Sequence, residues 1–157
     1  MKIELHAIGK HGFPFVDEGI KMYQQRIDRY VRFEYFIHPD VKNVASLSES
    51  ERKKRESKLL LDNIIEGDYI VLLDEKGKLL SSRELSLFVQ QRMNAGNKTV
   101  KFMIGGAYGF SEDLYLRADQ KISLSKLTFP HDLVRLVFIE QLYRSLTIIK
   151  GEKYHHD

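Results

Sequence analysis

Two stretches of the chain hold the groups whose types and spacing could do chemistry. The first is Gly105-Gly106-Ala107-Tyr108-Gly109, which follows the apolar run Val100 to Ile104. A strand feeding a glycine loop is where open α/β sheets place ligands, because a crevice opens at the strand's carboxyl end and glycine lets backbone approach a bound molecule closely. The second is Leu124-Ser125-Lys126-Leu127-Thr128-Phe129-Pro130-His131, which has neither helical nor strand periodicity yet lies between apolar segments. Two such loops could form two walls of one pocket. His131 ends the second loop, and an imidazole there can exchange a proton near neutral pH. The bland alternatives are a tight structural turn for the glycines and a plain helix-start residue for His131. A third candidate is the terminal Lys153-Tyr154-His155-His156, where an aromatic ring beside cationic and titratable groups suits stacking on looped or single-stranded RNA.

Several chemistries are excluded or disfavoured. The glycine loop is not a P-loop, since no Gly-Lys-Ser or Gly-Lys-Thr follows at the required spacing, and its glycines do not match the dinucleotide-binding fingerprint. The chain has no cysteine, which removes thiolate metal sites, disulfides and a cysteine nucleophile. The adjacent side chains of His155 and His156 diverge, so no metal site is expected. Arg52, Lys53, Lys54, Arg55 and Lys58 crowd one helix; they read as a solvated face, with phosphate contact the minority reading. A formal charge of +3 over 157 residues permits a nucleic-acid partner without demanding one.

The elements that must position these groups follow from periodicity. Residues 1–157 are expected to form a single domain, large enough to bury a core without metals or cross-links. With 43% hydrophobic and 30% charged residues, the composition is that of a folded globular chain. Neither a signal peptide nor a membrane-spanning run is apparent, so a cytoplasmic protein is expected. Strands are predicted at Lys2 to Ile8, Phe33 to His38, Tyr69 to Leu73, Val100 to Ile104 and Lys121 to Ser123. Between them, apolar residues at spacings of three and four predict helices over Asp17 to Val31, Ser48 to Ile65, Ser81 to Asn94 and Ser111 to Ala118. Capping boxes at Ser48/Glu51 and Ser81/Glu84 start two of these. Surface loops are expected at Asp40 to Ser46 and at Asp74 to Lys78. The unbroken apolar run Tyr69 to Leu73 suggests a strand covered on both faces. Alternating strands and helices predict a doubly wound α/β structure: a mixed, mainly parallel sheet flanked by helices.

The last helix, Asp132 to Ile149, breaks the pattern. Leu133, Val134, Leu136, Val137, Phe138, Ile139, Leu142, Leu146, Ile148 and Ile149 surround most of its circumference, whereas a surface helix carries one apolar stripe. Something else must cover it, and a second copy of the chain is the economical cover, which predicts a symmetric homodimer. After Gly151 the sequence reads as a tail, frayed or ordered by a ligand.

Taken together, Lys2 to Gly9, Leu73 with Gly77-Lys78, Ser81-Ser82, Ile104-Gly105-Gly106-Ala107-Tyr108-Gly109, Leu124 to His131, Arg135, Glu140-Gln141-Leu142-Tyr143-Arg144 and Tyr154-His155 resemble the RlmH family, in order and over nearly the whole chain. That resemblance implies a 23S ribosomal RNA (pseudouridine-N3)-methyltransferase of the SPOUT superfamily, a cytoplasmic homodimer that uses S-adenosylmethionine and acts on 23S rRNA or the assembled ribosome. It also implies a C-terminal trefoil knot, which general folding rules would not suggest. Residue by residue it assigns Leu73, Gly105, Leu124, Ser125, Lys126, Leu127, Thr128 and Phe129 to the cofactor. His131 and His155 become candidate proton acceptors, with Arg135, Arg144, Tyr154 and His155 as RNA-positioning groups. Relatives often carry Arg or Lys after the Tyr-His pair, where this chain has His156. Two rival classes stand beside this one: a non-catalytic RNA-binding module and a small nucleotide-binding regulatory domain.

Overall fold

The computed structural model describes residues 1–10, 12–41 and 46–155. The middle of the loop expected at Asp40 to Ser46, and the terminal His156 and Asp157, lie outside the described residues. Strand β1 (Lys2–Ile8) is followed by α1 (Pro14–Ile27), β2 (Arg32–His38), α2 (Glu49–Leu61), β3 (Tyr69–Leu79), α3 (Ser82–Asn94), β4 (Thr99–Ile104), α4 (Glu112–Arg117), β5 (Gln120–Ser123) and α5 (His131–Ile149). The five strands form one sheet in the order β2-β1-β4-β3-β5. Every pairing between these strands is parallel, from Lys2 opposite Arg32 to Leu79 opposite Ser123.

Strand alternation splits the core into two layers. Ile3, Leu5 and Ala7 of β1 join Val100, Phe102 and Ile104 of β4 beneath α1, α3 and α5, where Phe138, Ile139, Leu142 and Leu146 are buried. The opposite face packs Ile8, Ile70, Leu72 and Met103 against Leu60 of α2 and Leu114 of α4. That second face also holds a polar chain. His6 is hydrogen-bonded through Nε2 to Glu4 (2.9 Å) and through Nδ1 to Nε2 of His38 (2.9 Å), and Lys101 bridges Glu4 (3.4 Å) and Asp68 (2.8 Å). With a carboxylate accepting at Nε2, the neutral His6 donates there and accepts from His38 at Nδ1. Buried polar groups of this kind persist only when each finds such a partner.

Both capping boxes form: the Ser48 and Ser81 hydroxyls accept from the Glu51 and Glu84 amides while the glutamates bond back. Three boundaries depart from the expectations. Helix α1 begins at Pro14, whose fixed φ suits a first helical position, and Tyr30 and Val31 fall in turns whose amides still bond to Ile27 (2.8 and 3.1 Å). Helix α2 ends at Leu61, because the Asp68 carboxylate captures the Ile65 amide (2.9 Å) in a turn that leaves Ile65 exposed. The third is the loop expected at Asp74 to Lys78, which is instead a bulged continuation of β3. Both Leu73 and Lys78 pair with Ile122, and a Cβ at Gly77 would lie 2.6 Å from the Ile122 backbone. Only glycine admits that approach.

Candidate functional site

At the bulged middle of β3 and the carboxyl ends of β4 and β5 the chain encloses a cavity of about 440 Å³, a size that accepts a drug-sized ligand. Each wall has a local cause. Beyond β4 the glycine loop turns back so that the Gly109 amide bonds to the Gly106 carbonyl (3.1 Å), and Gly109 sits at φ +76°, where a side chain would be strained. A Cβ on Gly105 would lie 3.0 Å from the Phe110 ring and 3.1 Å from the Gly109 carbonyl. On Gly106 it would lie 2.1 Å from a Glu56 carboxylate oxygen. Side chains at these two positions would collide with the loop's own neighbours, so the wall here is glycine backbone. Beyond β5 the Ser125 hydroxyl accepts from the Leu127 amide (2.8 Å), and the Ser123 hydroxyl donates to the Ser125 carbonyl (3.0 Å). Pro130 then starts α5 at His131.

All eight residues expected around a cofactor line this one cavity: Leu73, Gly105 and the run Leu124, Ser125, Lys126, Leu127, Thr128 and Phe129. His131 lines it too. Desolvation, and then the charge of Arg135 one turn along, push its pKa below the ordinary imidazole value, which favours the neutral, proton-accepting form at neutral pH. Tyr108 of the glycine loop and Lys53 of the basic run line it as well, and sequence reasoning missed Asp74, Glu75, Lys76, Tyr115 and Val134, which also line the space. Their signal was present in the acidic pair placed directly after a buried strand. Asp74 is fully engaged: Tyr115 donates its hydroxyl to one oxygen, and the Lys76 amide donates to the other (2.7 Å).

The remaining candidates lie elsewhere. Arg135 was expected to touch RNA, but it is only 1% exposed, which is a correction. Its guanidinium donates to the Ile8 carbonyl (2.6 Å), the Gly9 carbonyl (2.8 Å) and the Tyr35 hydroxyl (3.4 Å). A buried cation needs acceptors, and here they are the last carbonyls of β1, so Arg135 clamps the start of α5 to the sheet and thereby fixes His131. As far as it is described, through His155, the tail expected to be frayed or ordered by a ligand is docked on its own chain. Glu152 accepts from Tyr30 (2.6 Å), and Tyr154 donates to Glu140 (3.1 Å) and accepts from Tyr23 (3.2 Å). The Tyr154 ring packs on Tyr143 at 4.7 Å, with the Arg144 guanidinium 4.7 Å above it, and Arg144 is also bonded to Glu140 (2.6 Å). Burial first, and then Tyr23 and Glu140, raise the Tyr154 pKa, so it stays a neutral hydroxyl. The structure does not bring His131 and the tail together in one chain. Glu140, Tyr143 and Arg144 lie roughly 14–20 Å along α5 from His131 at 1.5 Å per residue.

Comparison with known proteins supplies the context for this geometry. A protein 50% identical over 156 residues, covering 99% of both chains, is the ribosomal RNA large subunit methyltransferase H of Christiangramia forsetii. Proteins of the same name from Parabacteroides distasonis (47% over 157 residues, 100% of both chains) and Flavobacterium johnsoniae (49% over 156 residues, 99% of both) are similar over the same span. A family model described as a predicted SPOUT methyltransferase matches residues 1–155, a span that takes in the glycine loop, the second loop, α5 and the tail through His155. The chain belongs to the SPOUT methyltransferase family.

Proposed function

We propose that this protein transfers a methyl group from S-adenosylmethionine to N3 of a pseudouridine in 23S rRNA, acting in the cytoplasm as a homodimer. The observation that carries the reading is the cavity at the bulge of β3 and the carboxyl ends of β4 and β5. It is walled by the glycine loop and the 124–129 segment, in a chain matched along its length by rRNA methyltransferases. The cavity suits the cofactor. Backbone at Gly105 and Gly106, which line the cavity, and the apolar side chains of Leu73, Leu124, Leu127 and Phe129 can hold an adenine, and no phosphate cradle is needed. Glu75 and the polar loop backbone supply partners for hydroxyl and ammonium groups.

S-adenosylmethionine, held by Leu73, Gly105 and the 124–129 segment, would supply an already activated methyl carbon, its sulfur leaving as a neutral thioether as N3 takes the methyl. The chain's own residues must align the nucleophile and take the imide proton. Alignment in a water-poor pocket is worth about 7–11 kcal/mol in favourable cases. His131, at the pocket wall and disposed to be neutral, is one candidate base, and His155 is the other. For His155 the homodimer matters. Leu133, Leu136 and Val137 of α5 are only half covered, while Phe13, Phe15 and Met22 of the α1 region are exposed. Covering these with a second copy would bring one protomer's tail, with Arg144, Tyr154 and His155, toward the other's pocket, and the family's trefoil knot would hold the loops in place. A thermal-shift comparison tests the assignment: S-adenosylmethionine and S-adenosylhomocysteine should raise Tm while ATP and NAD do not. Stabilisation by ATP or NAD alone would favour a nucleotide-binding regulatory domain.

A further inference from the structure

The positive charge beside the pocket exceeds what the methyl donor needs. Four consecutive basic residues, Arg52, Lys53, Lys54 and Arg55, follow the acidic first turn of α2, which carries Glu49 and Glu51. The helix buries Glu56, Ser57 and Leu60. Lys53 stands one turn before Glu56 and Ser57 on the same stripe, and there the stripe emerges from the core and the lysine lines the cavity. Arg52 is held by Glu56 (2.8 Å), and its guanidinium lies 5.4 Å over the ring of Tyr108, another cavity residue that is 39% exposed. Lys54 and Arg55 face solvent, and among the described residues they, like Lys53, form no ion pair. S-adenosylmethionine brings one carboxylate and two cationic centres, so it cannot use this much positive charge. Glu51 offsets part of the charge of Arg55 and Lys54, and the RNA substrate brings the phosphates that the remainder would suit.

We infer that the basic second turn of α2, Arg52 to Arg55, is a docking face for the phosphate backbone of the RNA beside the target nucleotide, with Tyr108, oriented by Arg52, as the adjoining aromatic surface. This rests on the methyltransferase reading and adds to it the element that receives the RNA. Cations at this place would hold the strand by its phosphates without reading its sequence. The tail and the target base then decide which nucleotide reacts.

The test compares wild type with Lys54→Gln/Arg55→Gln, and with Lys58→Gln as the control. Lys58 sits one turn further along the same helix and is already paired with Asp62 (3.0 Å). Methyl transfer to ribosomes from a strain lacking this protein is measured between 50 and 300 mM KCl, alongside binding of naked 23S rRNA. Losing two phosphate contacts should raise KM roughly tenfold and lower the salt slope by about 2. The turnover number and S-adenosylhomocysteine affinity should stay with wild type, and Lys58→Gln should behave as wild type throughout. An unchanged KM and salt slope in the double variant, or an equal effect from Lys58→Gln, would overturn the docking face while leaving the methyltransferase reading intact. A raised KM with unchanged affinity for naked rRNA would place the cations against a ribosomal protein and overturn the assignment to phosphate. A wild-type protein that methylates no rRNA would overturn the reading and the face together.

Discussion

Gly106→Ala offers a worked test of how the glycine loop is built. Gly106 is not among the glycines at positive φ, so alanine meets no backbone strain there, and on an open loop it would stabilise by about 0.4–1 kcal/mol through the unfolded state. The obstacle is space. The new methyl would lie 2.1 Å from Glu56 Oε2 and 2.6 Å from its Cδ. Glu56 is 1% exposed and tied to Arg52 at 2.8 Å, so its carboxylate can yield only by leaving that partner or by shifting α2 away from the loop. Overpacking of this kind costs about 1–3 kcal/mol. Urea unfolding should therefore show Gly106→Ala destabilised by about 2 kcal/mol, with S-adenosylhomocysteine affinity lowered in calorimetry. In a Glu56→Ala background the same substitution should be neutral or stabilising, a coupling of about 2 kcal/mol between neighbours. Equal costs in both backgrounds would refute the steric account and place the need for glycine elsewhere.

Other outcomes follow from the same contacts. Arg135→Met removes the donors to Ile8 and Gly9 and should cost about 3–5 kcal/mol, since charge-assisted bonds are worth roughly 1.5–3 kcal/mol each; a loss under about 1 kcal/mol in urea titration would contradict the clamp. Acid should weaken the fold in two steps. Burial, opposed in His6 by Glu4, pushes the pKa values of His6 and His38 down, so the folded state binds fewer protons than the unfolded one, and stability present above about pH 6.5 is lost as pH falls below it. Glu4, which burial alone would raise, is held at about 2 by Lys2, His6 and Lys101, so a second loss runs from about pH 4.5 downward. A His6→Gln/His38→Gln variant with an unaltered step between pH 7 and 5 would sink the first assignment. Truncation after Gly151 should leave S-adenosylhomocysteine binding nearly intact and abolish RNA methylation, and full activity in the truncated protein would remove the tail from the site.

The sequence carried the strands well because their signals are local. Apolar runs such as Val100 to Ile104 and capping boxes at Ser48 and Ser81 depend on neighbours a few residues away. The cavity wall was legible for a related reason: a glycine loop and an aperiodic segment each needed explanation where they stood. What escaped notice depends on distant partners. Asp74 to Lys78 reads as a loop until Gly77 is seen against the Ile122 backbone. Arg135 reads as a surface cation until the carbonyls of Ile8 and Gly9, more than a hundred positions away, are found around it. The docked tail likewise depends on Tyr23 and Tyr30 of the α1 region, which no terminal composition reveals.

The central claim is that the cavity at the bulge of β3 and the ends of β4 and β5 holds a methyl donor whose group goes to ribosomal RNA. It is tested most directly by incubating the purified protein with methyl-labelled S-adenosylmethionine and ribosomes from a strain lacking this protein, then mapping the large-subunit rRNA by mass. The account predicts one added methyl, on N3 of a single pseudouridine, lost when Gly105 is replaced by leucine. Unlabelled rRNA, or label that persists in the Gly105→Leu protein, would contradict it.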